Sequence, residues 1–301
     1  MAPICIFTYK RKASLEKLIL SLRQNKESSL TDLFIFCDNA KDESEQYLVD
    51  EVRSFCRSIN GFRSVKIVFS ERNKGLADSI IEGVSLVLEN HESAIILEDD
   101  LLVSKGFISF MNAGLKAYSG DMTVISVCGF SKRLPRGVLS NDATVYFHGR
   151  SSSWGWATWR DKWNKVDFGY VHNLTPANRW LMYLRLFLLA PDLPLMMRAQ
   201  IKGKINSWAV RYVEAQSRFK MISLFPSISL VENTGFDQNA THCDVDIGFE
   251  SSFNVDNVVS HQSFFARRLM VVTCYIWFYE AAYGLFRKLK RIAEIKSKSQ
   301  F

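Results

Sequence analysis

Apolar runs and amphipathic stretches alternate through the first 130 residues. Pro3–Thr8, Leu33–Cys37, Val65–Phe69, Ala94–Leu97 and Val124–Cys128 are short apolar runs of strand length. Between them lie segments with helical spacing. Leu15, Leu18, Ile19 and Leu22 follow Ser14, and Asp42 to Ser58 carries Tyr47, Val49, Val52, Phe55 and Cys56. Leu76, Ile80, Ile81, Val84 and Leu88 mark a third helix. Strands separated by helices predict βαβ units and a mostly parallel, doubly wound sheet, and the right-handed crossover rule leaves few topologies.

After Gly129 the pattern loosens. Residues 149–163 hold four of the seven tryptophans. Residues 176–202 read as helix interrupted by Pro191 and Pro194, Ser207–Arg218 as helix, and Ile222–Val231 as strand. No repeat or Gly/Pro/Ser-rich linker divides the chain. One domain is expected over 1–263, followed by a basic amphipathic helix and tail over 264–301.

Hydrophobic residues make up 48% of the 301 and charged residues 23%, which excludes whole-chain disorder. The net charge is +7, and residues 264–301 account for +6 of it. The folded part is therefore nearly neutral. That argues against nucleic acid as a partner and for an acidic surface such as a membrane meeting the tail. The six cysteines (5, 37, 56, 128, 243 and 274) form no C-x-x-C pair and read as reduced, buried thiols. In MAPICIFTYKRK the charge follows the apolar stretch, the reverse of a secretory signal, so none is expected. The Asn173 and Asn239 sequons then carry little meaning.

The most informative stretch is Glu98-Asp99-Asp100, directly after the apolar run ending at Leu97. In open α/β sheets ligands bind at the carboxyl ends of strands. Clustered carboxylates repel unless a cation neutralises them, and hard oxygen ligands suit Mn2+ or Mg2+. Alone, such a triplet reads equally as a solvated acidic turn. Other segments accompany it. Arg72-Asn73-Lys74-Gly75-Leu76-Ala77 offers a tight turn and close backbone approach at Gly75. Asp38 at a strand end offers an acceptor for a base N–H or an Asx turn. In Trp154-Gly155-Trp156-Ala157-Thr158-Trp159 the glycine allows an exposed aromatic platform for a sugar face, with core packing as the alternative, preferred for Trp159 and Trp163.

Taken in order, these segments resemble the GT-A glycosyltransferases, and among them bacterial enzymes similar to N-acetylglucosaminyltransferase I, over roughly residues 3–245. The resemblance implies an α/β GT-A fold, a Rossmann-like mostly parallel sheet flanked by helices. It implies that Thr8 and Arg11 meet the nucleotide, Asp38 the base, and Asn73 and Gly75 the nucleotide-sugar. Asp99, Gly155, Trp156 and Arg211 are expected beside the donor. Asp100 reaches the metal, with Glu98 and the late histidine His242 as further ligands. The base of that family lies in a Ser-Trp-Asp-Asp segment, which here reads Ser207-Trp208-Ala209-Val210. Both acidic positions are apolar. Candidate substitutes are Glu214, Asp161 and Asp237, and a retaining mechanism without a dedicated base stays open. Glu214 is about 140° around a helix from Ala209.

Leu269–Phe286 has 15 apolar residues of 18, short of the ~20 that span a bilayer. With basic residues on both sides it reads as an interfacial helix, or as one packed on the domain. The expected protein is a metal-dependent hexosyl- or N-acetylhexosaminyl-transferase, peripheral at the cytoplasmic face of the cell membrane. A UDP-sugar would be the donor and a glycan or lipid-linked precursor of a surface polysaccharide or lipopolysaccharide the acceptor. The rival within enzymes is a nucleotidyltransferase, disfavoured because Thr8-Tyr9-Lys10-Arg11-Lys12 lacks the glycines of a phosphate loop. The rival outside is a non-catalytic binding protein.

Overall fold

The computed structural model describes residues 1–135, 138–139, 143–235, 253–259, 274–279 and 281–282. Its first half runs β1 (Ile4–Thr8), α1 (Lys12–Arg23), β2 (Asp32–Cys37), α2 (Glu43–Ser58), β3 (Ser64–Phe69), α3 (Leu76–Asn90) and β4 (Ser93–Glu98). The short β5 (Leu101–Val103), α4 (Phe107–Ala117) and β6 (Val124–Cys128) follow. The second half comprises β7 (Val145–His148), β8 (Trp156–Trp159), α5 (Arg160–Trp163), α6 (Pro176–Leu189), α7 (Leu193–Ile201), α8 (Trp208–Arg218), β9 (Ile222–Pro226) and β10 (Val231–Asn233).

Among the described residues eight strands form one sheet in the order β3-β2-β1-β4-β8-β6-β9-β7, and β10 pairs with β5 in a second, two-stranded sheet. Strands β1 to β4 are parallel, as are β6 and β9, whereas β8 and β7 run antiparallel to their neighbours. This is the mostly parallel α/β architecture of a GT-A fold. All five residues of β1 are buried, because helices cover both faces of the sheet and leave no solvated side for alternation to mark.

The two faces carry separate cores. Ile4, Ile6, Leu33, Ile35, Ile95 and Leu97 face α1, α2 and α4. Cys5, Phe7, Phe36 and Ile96 face the other way, towards Ile80 and Val84 of α3 and the aromatic set Trp156, Trp163, Trp208 and Tyr212. Local chemistry sets several helix starts. Asp42 accepts the Ser44 N–H ahead of α2, Thr175 accepts the Asn178 N–H ahead of α6, and Ser207 accepts the Val210 N–H ahead of α8.

Two expectations change. The run 222–231 is two strands, since β9 ends at Pro226 and β10 joins the smaller sheet. The loop expected at 154–159 contains β8, a buried strand between β4 and β6. Most of the tail lies outside the described residues, but 274–279 is helical and packs on the domain through Ile276, which is buried with Cys128, Tyr146 and Phe225. Among the described residues no helix is long and apolar enough to cross a membrane. Cys5, Cys37, Cys56 and Cys128 are buried free thiols, and Cys274 is an exposed one.

Candidate active site

The register of the central strands assembles the site. Thr8 lies beside Cys37, and Phe7 beside Glu98, so β1, β2 and β4 end together. Beyond their carboxyl ends opens a cleft of about 320 Å³. Thr8, Arg11, Asp38, Asn73, Gly75, Glu98, Asp99 and Asp100 all line it. Residues 90 positions apart thus meet because parallel crossovers return each strand to the same edge.

The acidic triplet is organised asymmetrically. Asp99 is buried and saturated: it accepts from Thr8 Oγ1 at 2.8 Å, from the Tyr9 N–H at 3.1 Å and from Arg11 Nη2 at 2.9 Å. Arg11 Nη2 also donates to Asp100 Oδ2 at 2.9 Å. Asp100 Oδ1 is buried with no hydrogen-bond partner. The Asp100 backbone carbonyl accepts from the N–H and hydroxyl of Thr234, tying the triplet to the chain after β10. Burial pushes the Glu98 carboxyl up to about 8, helped by the charges of Asp100 and Asp99. Burial raises Asp99 too, opposed by Arg11. A cation placed here would relieve this repulsion.

The open oxygen of Asp100, beside Glu98, fits a hard divalent ion. Among the described residues no group of three or more His, Cys, Asp or Glu side chains is placed to hold a metal by itself. His242 and Asp237 lie outside the described residues.

Asp38 differs from the expected free acceptor. Its carboxylate accepts the backbone N–H groups of Asn39 (2.9 Å), Lys74 (2.9 and 3.2 Å) and Gly75 (2.8 Å). It therefore clamps the turn before α3, where Gly75 adopts φ +75°. Asn73 Nδ2 donates to the Asn39 carbonyl at 2.6 Å and closes the same turn.

Five expected residues do not line the cleft. Trp156 is 1% exposed and stacks on Trp208 with ring centroids 4.8 Å apart, so it is core and not a sugar platform. Gly155, at φ +61°, is packed so tightly that a Cβ would come within 2.8 Å of Val231 Cγ2. Its role is backbone shape and packing, though its neighbour Trp154 does line the cleft. Asp161 follows β8, which runs antiparallel to β4 with Trp159 beside Ser93. The reversal carries Asp161 past the amino end of β4, roughly 17 Å of strand away from the triplet at ~3.3 Å per residue. Glu214 is buried between Arg185 (3.5 Å) and Arg218 (3.3 Å), and burial raises its pKa against their pull. Neither carboxylate is placed to serve as a base at the cleft.

Arg211 is also held away, donating to the Ser207 and Phe168 carbonyls and to Asn206 Oδ1. Tyr9, Lys10, Lys41, Asn233 and Gly235 join the cleft wall. Their only signal in sequence is adjacency to the motifs above. Tyr9 and Lys10 both engage Glu45. A second groove of about 900 Å³ over β2, β3 and α3 shares Phe36, Asp38 and Ser79 with the cleft.

The sequence model of the family described as Glycosyl transferase family 2 matches residues 4–181. That span contains β1 to β8 and the whole triplet. No curated protein matches the sequence. Solved structures with a similar chain path include TarS 1–349 of S. aureus, at 13% identity and TM-score 0.41, with 78% of this chain and 61% of that chain covered. Another S. aureus TarS structure matches at 13% identity and TM-score 0.38, covering 69% of this chain and 44% of that one. The mannosyltransferase PcManGT from Pyrobaculum calidifontis, solved in complex with GDP-Man and Mn2+, matches at 12% identity and TM-score 0.38, covering 72% and 74%. The chain thus spans less than two thirds of either TarS structure.

Proposed function

The chain belongs to glycosyl transferase family 2, and from that premise we propose that it moves a sugar from a nucleotide-sugar to a hydroxyl of a glycan or lipid-linked acceptor. One observation carries the reading: Thr8, Arg11, Asp38 and the acidic triplet converge at the carboxyl ends of β1, β2 and β4, leaving one buried Asp100 oxygen without a donor. The finer reading is a hexosyl- or N-acetylhexosaminyl-transferase akin to N-acetylglucosaminyltransferase I. A UDP-sugar is its donor, and surface polysaccharide or lipopolysaccharide precursors are its acceptors. It would work peripherally at the inner face of the membrane, held by the basic C-terminal segment.

In this scheme the donor diphosphate lies along the cleft beside Arg11 and Lys10, whose charges offset its own. The clamped turn at Asn73 and Gly75 presents backbone to the donor. The adjoining groove beyond Phe36 has room for the nucleoside. Trp154, seated edge-on against Phe130 at 4.5 Å, offers an aromatic wall near the sugar. Asp100 and Glu98, with His242, are the proposed holders of Mn2+ or Mg2+. When bound, that ion supplies Lewis-acid stabilisation of charge on the departing nucleotide.

The test is calorimetric titration of UDP, GDP and CMP with and without Mn2+. Metal-dependent binding of one nucleotide supports the reading and names the donor class; no binding by folded protein overturns it. A second reading, a non-catalytic nucleotide-sugar or glycan binder, draws on one fact. Among the described residues the cleft offers no carboxylate beyond the triplet and Asp38. Asp100→Ala separates the two, because it abolishes transfer by an enzyme and leaves glycan binding by a metal-independent binder intact.

A further inference from the structure

Helix α6 is apolar on two opposite sides. Met182 and Leu186 are buried against Val210 and Val213 of α8. Turned away from them, Trp180, Leu181, Leu184, Phe187 and Leu188 are all exposed, Trp180 at 66% and Leu188 at 63%. At 100° per residue these five fall within a sector of about 120° that contains no charged residue. A soluble helix normally turns polar residues outward, so such a stripe marks a docking surface.

The stripe continues onto the C-terminal segment. Trp277 Nε1 donates to the Phe187 carbonyl at 2.8 Å, and its ring meets the Phe187 ring edge-on at 5.5 Å. Beside it Phe278 is 67% exposed, on the side of the 274–279 turn away from buried Ile276. The surroundings are basic. Residues 176–204 contain five Lys/Arg and one acidic residue, Asp192, which Arg150 already pairs at 2.8 Å. Arg198, Lys202 and Lys204 are exposed. In the sequence, residues 264–301 carry eight Lys/Arg against two Glu.

We infer that this stripe, with Trp277 and Phe278, is the surface by which the protein docks on an anionic lipid bilayer. Large aromatic and leucine side chains enter the interface while flanking cations meet the headgroups. The inference deepens the membrane part of the proposed function and rests on it, but it moves the anchor from the tail alone to α6. It also relates the surface to the site. Beyond α7, Asn206 Nδ2 reaches Asp78 Oδ1 at 3.3 Å in the first turn of α3, the helix whose start lines the cleft. The segment that follows α6 and α7 thus contacts the helix beside the cleft.

The experiment is sedimentation of the full chain with phosphatidylcholine vesicles, with and without phosphatidylglycerol. Three proteins are compared: wild type, a stripe variant (Trp180→Ser, Leu184→Ser, Leu188→Ser) and a tail variant (Arg287→Gln, Lys288→Gln, Lys290→Gln, Arg291→Gln). Wild type is expected to bind only the anionic vesicles. The stripe variant should need about tenfold more lipid, with nucleotide binding unchanged as the check that it folds. Equal binding by the stripe variant, with loss confined to the tail variant, overturns the inference and spares the membrane reading. Failure of wild type to bind anionic vesicles overturns both. A dimer in light scattering that the stripe variant dissociates, without vesicle binding, assigns the stripe to a second copy and also overturns the inference.

Discussion

Asp38→Ala separates two roles for one carboxylate. The side chain is buried and accepts three backbone N–H groups, those of Asn39, Lys74 and Gly75, at 2.8–3.2 Å. Backbone N–H bonds to a charged acceptor contribute roughly 1.5–3 kcal/mol each. The turn they hold is partly exposed, so water recovers much of the loss. A total of about 2–4 kcal/mol is expected, short of the simple sum. Asp38→Asn retains one oxygen and should lose about half as much. Urea unfolding followed by tryptophan fluorescence reads the stability, and calorimetric nucleotide titration on the same samples reads the site. A loss of stability accompanied by weaker nucleotide binding fits a clamp whose release lets the 73–75 turn drift. If Asp38→Ala unfolds within about 0.5 kcal/mol of wild type while nucleotide binding collapses, the clamp argument is wrong. Asp38 would then act directly on the base.

Other outcomes follow from the same geometry. Trp156→Ala should cost about 3–5 kcal/mol as a core deletion, whereas Trp154→Ala should mainly weaken donor binding; paired unfolding and titration experiments distinguish them. Gly155→Ala forces a side chain into φ +61° and against Val231, and about 2–4 kcal/mol of lost stability by urea unfolding is expected. Asp161→Asn, at the opposite edge of the sheet, should leave the transfer rate within about twofold, while loss of activity with the fold intact would restore it as a base candidate.

Lys162 is fully buried, donates to the Tyr118 carbonyl at 2.8 Å and sits 3.4 Å from the centre of the Trp159 ring. Burial pushes its pKa down from 10.5 to about 8. Between pH 8 and 10.5 the unfolded chain binds the proton more readily than the folded one, so this group's contribution rises with pH across that window. Below pH 8 the cost of the buried charge is fully present. Lys162→Met should abolish this gain, and parallel slopes of urea midpoint against pH for the two proteins would contradict it.

Local chemistry alone sets much of this molecule. The runs that become β1 and β4 are legible because strands covered on both faces must be apolar in their interior. Asp42, Thr175 and Ser207 mark helix starts because their side-chain oxygens accept N–H groups within the same turn. A carboxylate cluster immediately after an apolar strand lies at a sheet edge whichever way the strands are ordered. The triplet could therefore be placed at that edge without coordinates, and the family resemblance added Thr8, Arg11 and Asp38 to the same cleft. Trp156, Asp161 and Glu214 could not be placed that way. Four buried residues, Trp-Ala-Thr-Trp, show no alternation, and nothing in their order says that β8 enters the sheet antiparallel. That reversal puts Trp156 into the core and Asp161 at the wrong edge. Glu214 likewise has the right charge on a plausible helix, but Arg185 from α6 and Arg218 from its own helix close around it. Sequence carries the period and chemistry of each element, which act over a few residues. Strand direction and the partner facing a side chain depend on contacts between distant segments, and only the packed structure decides them.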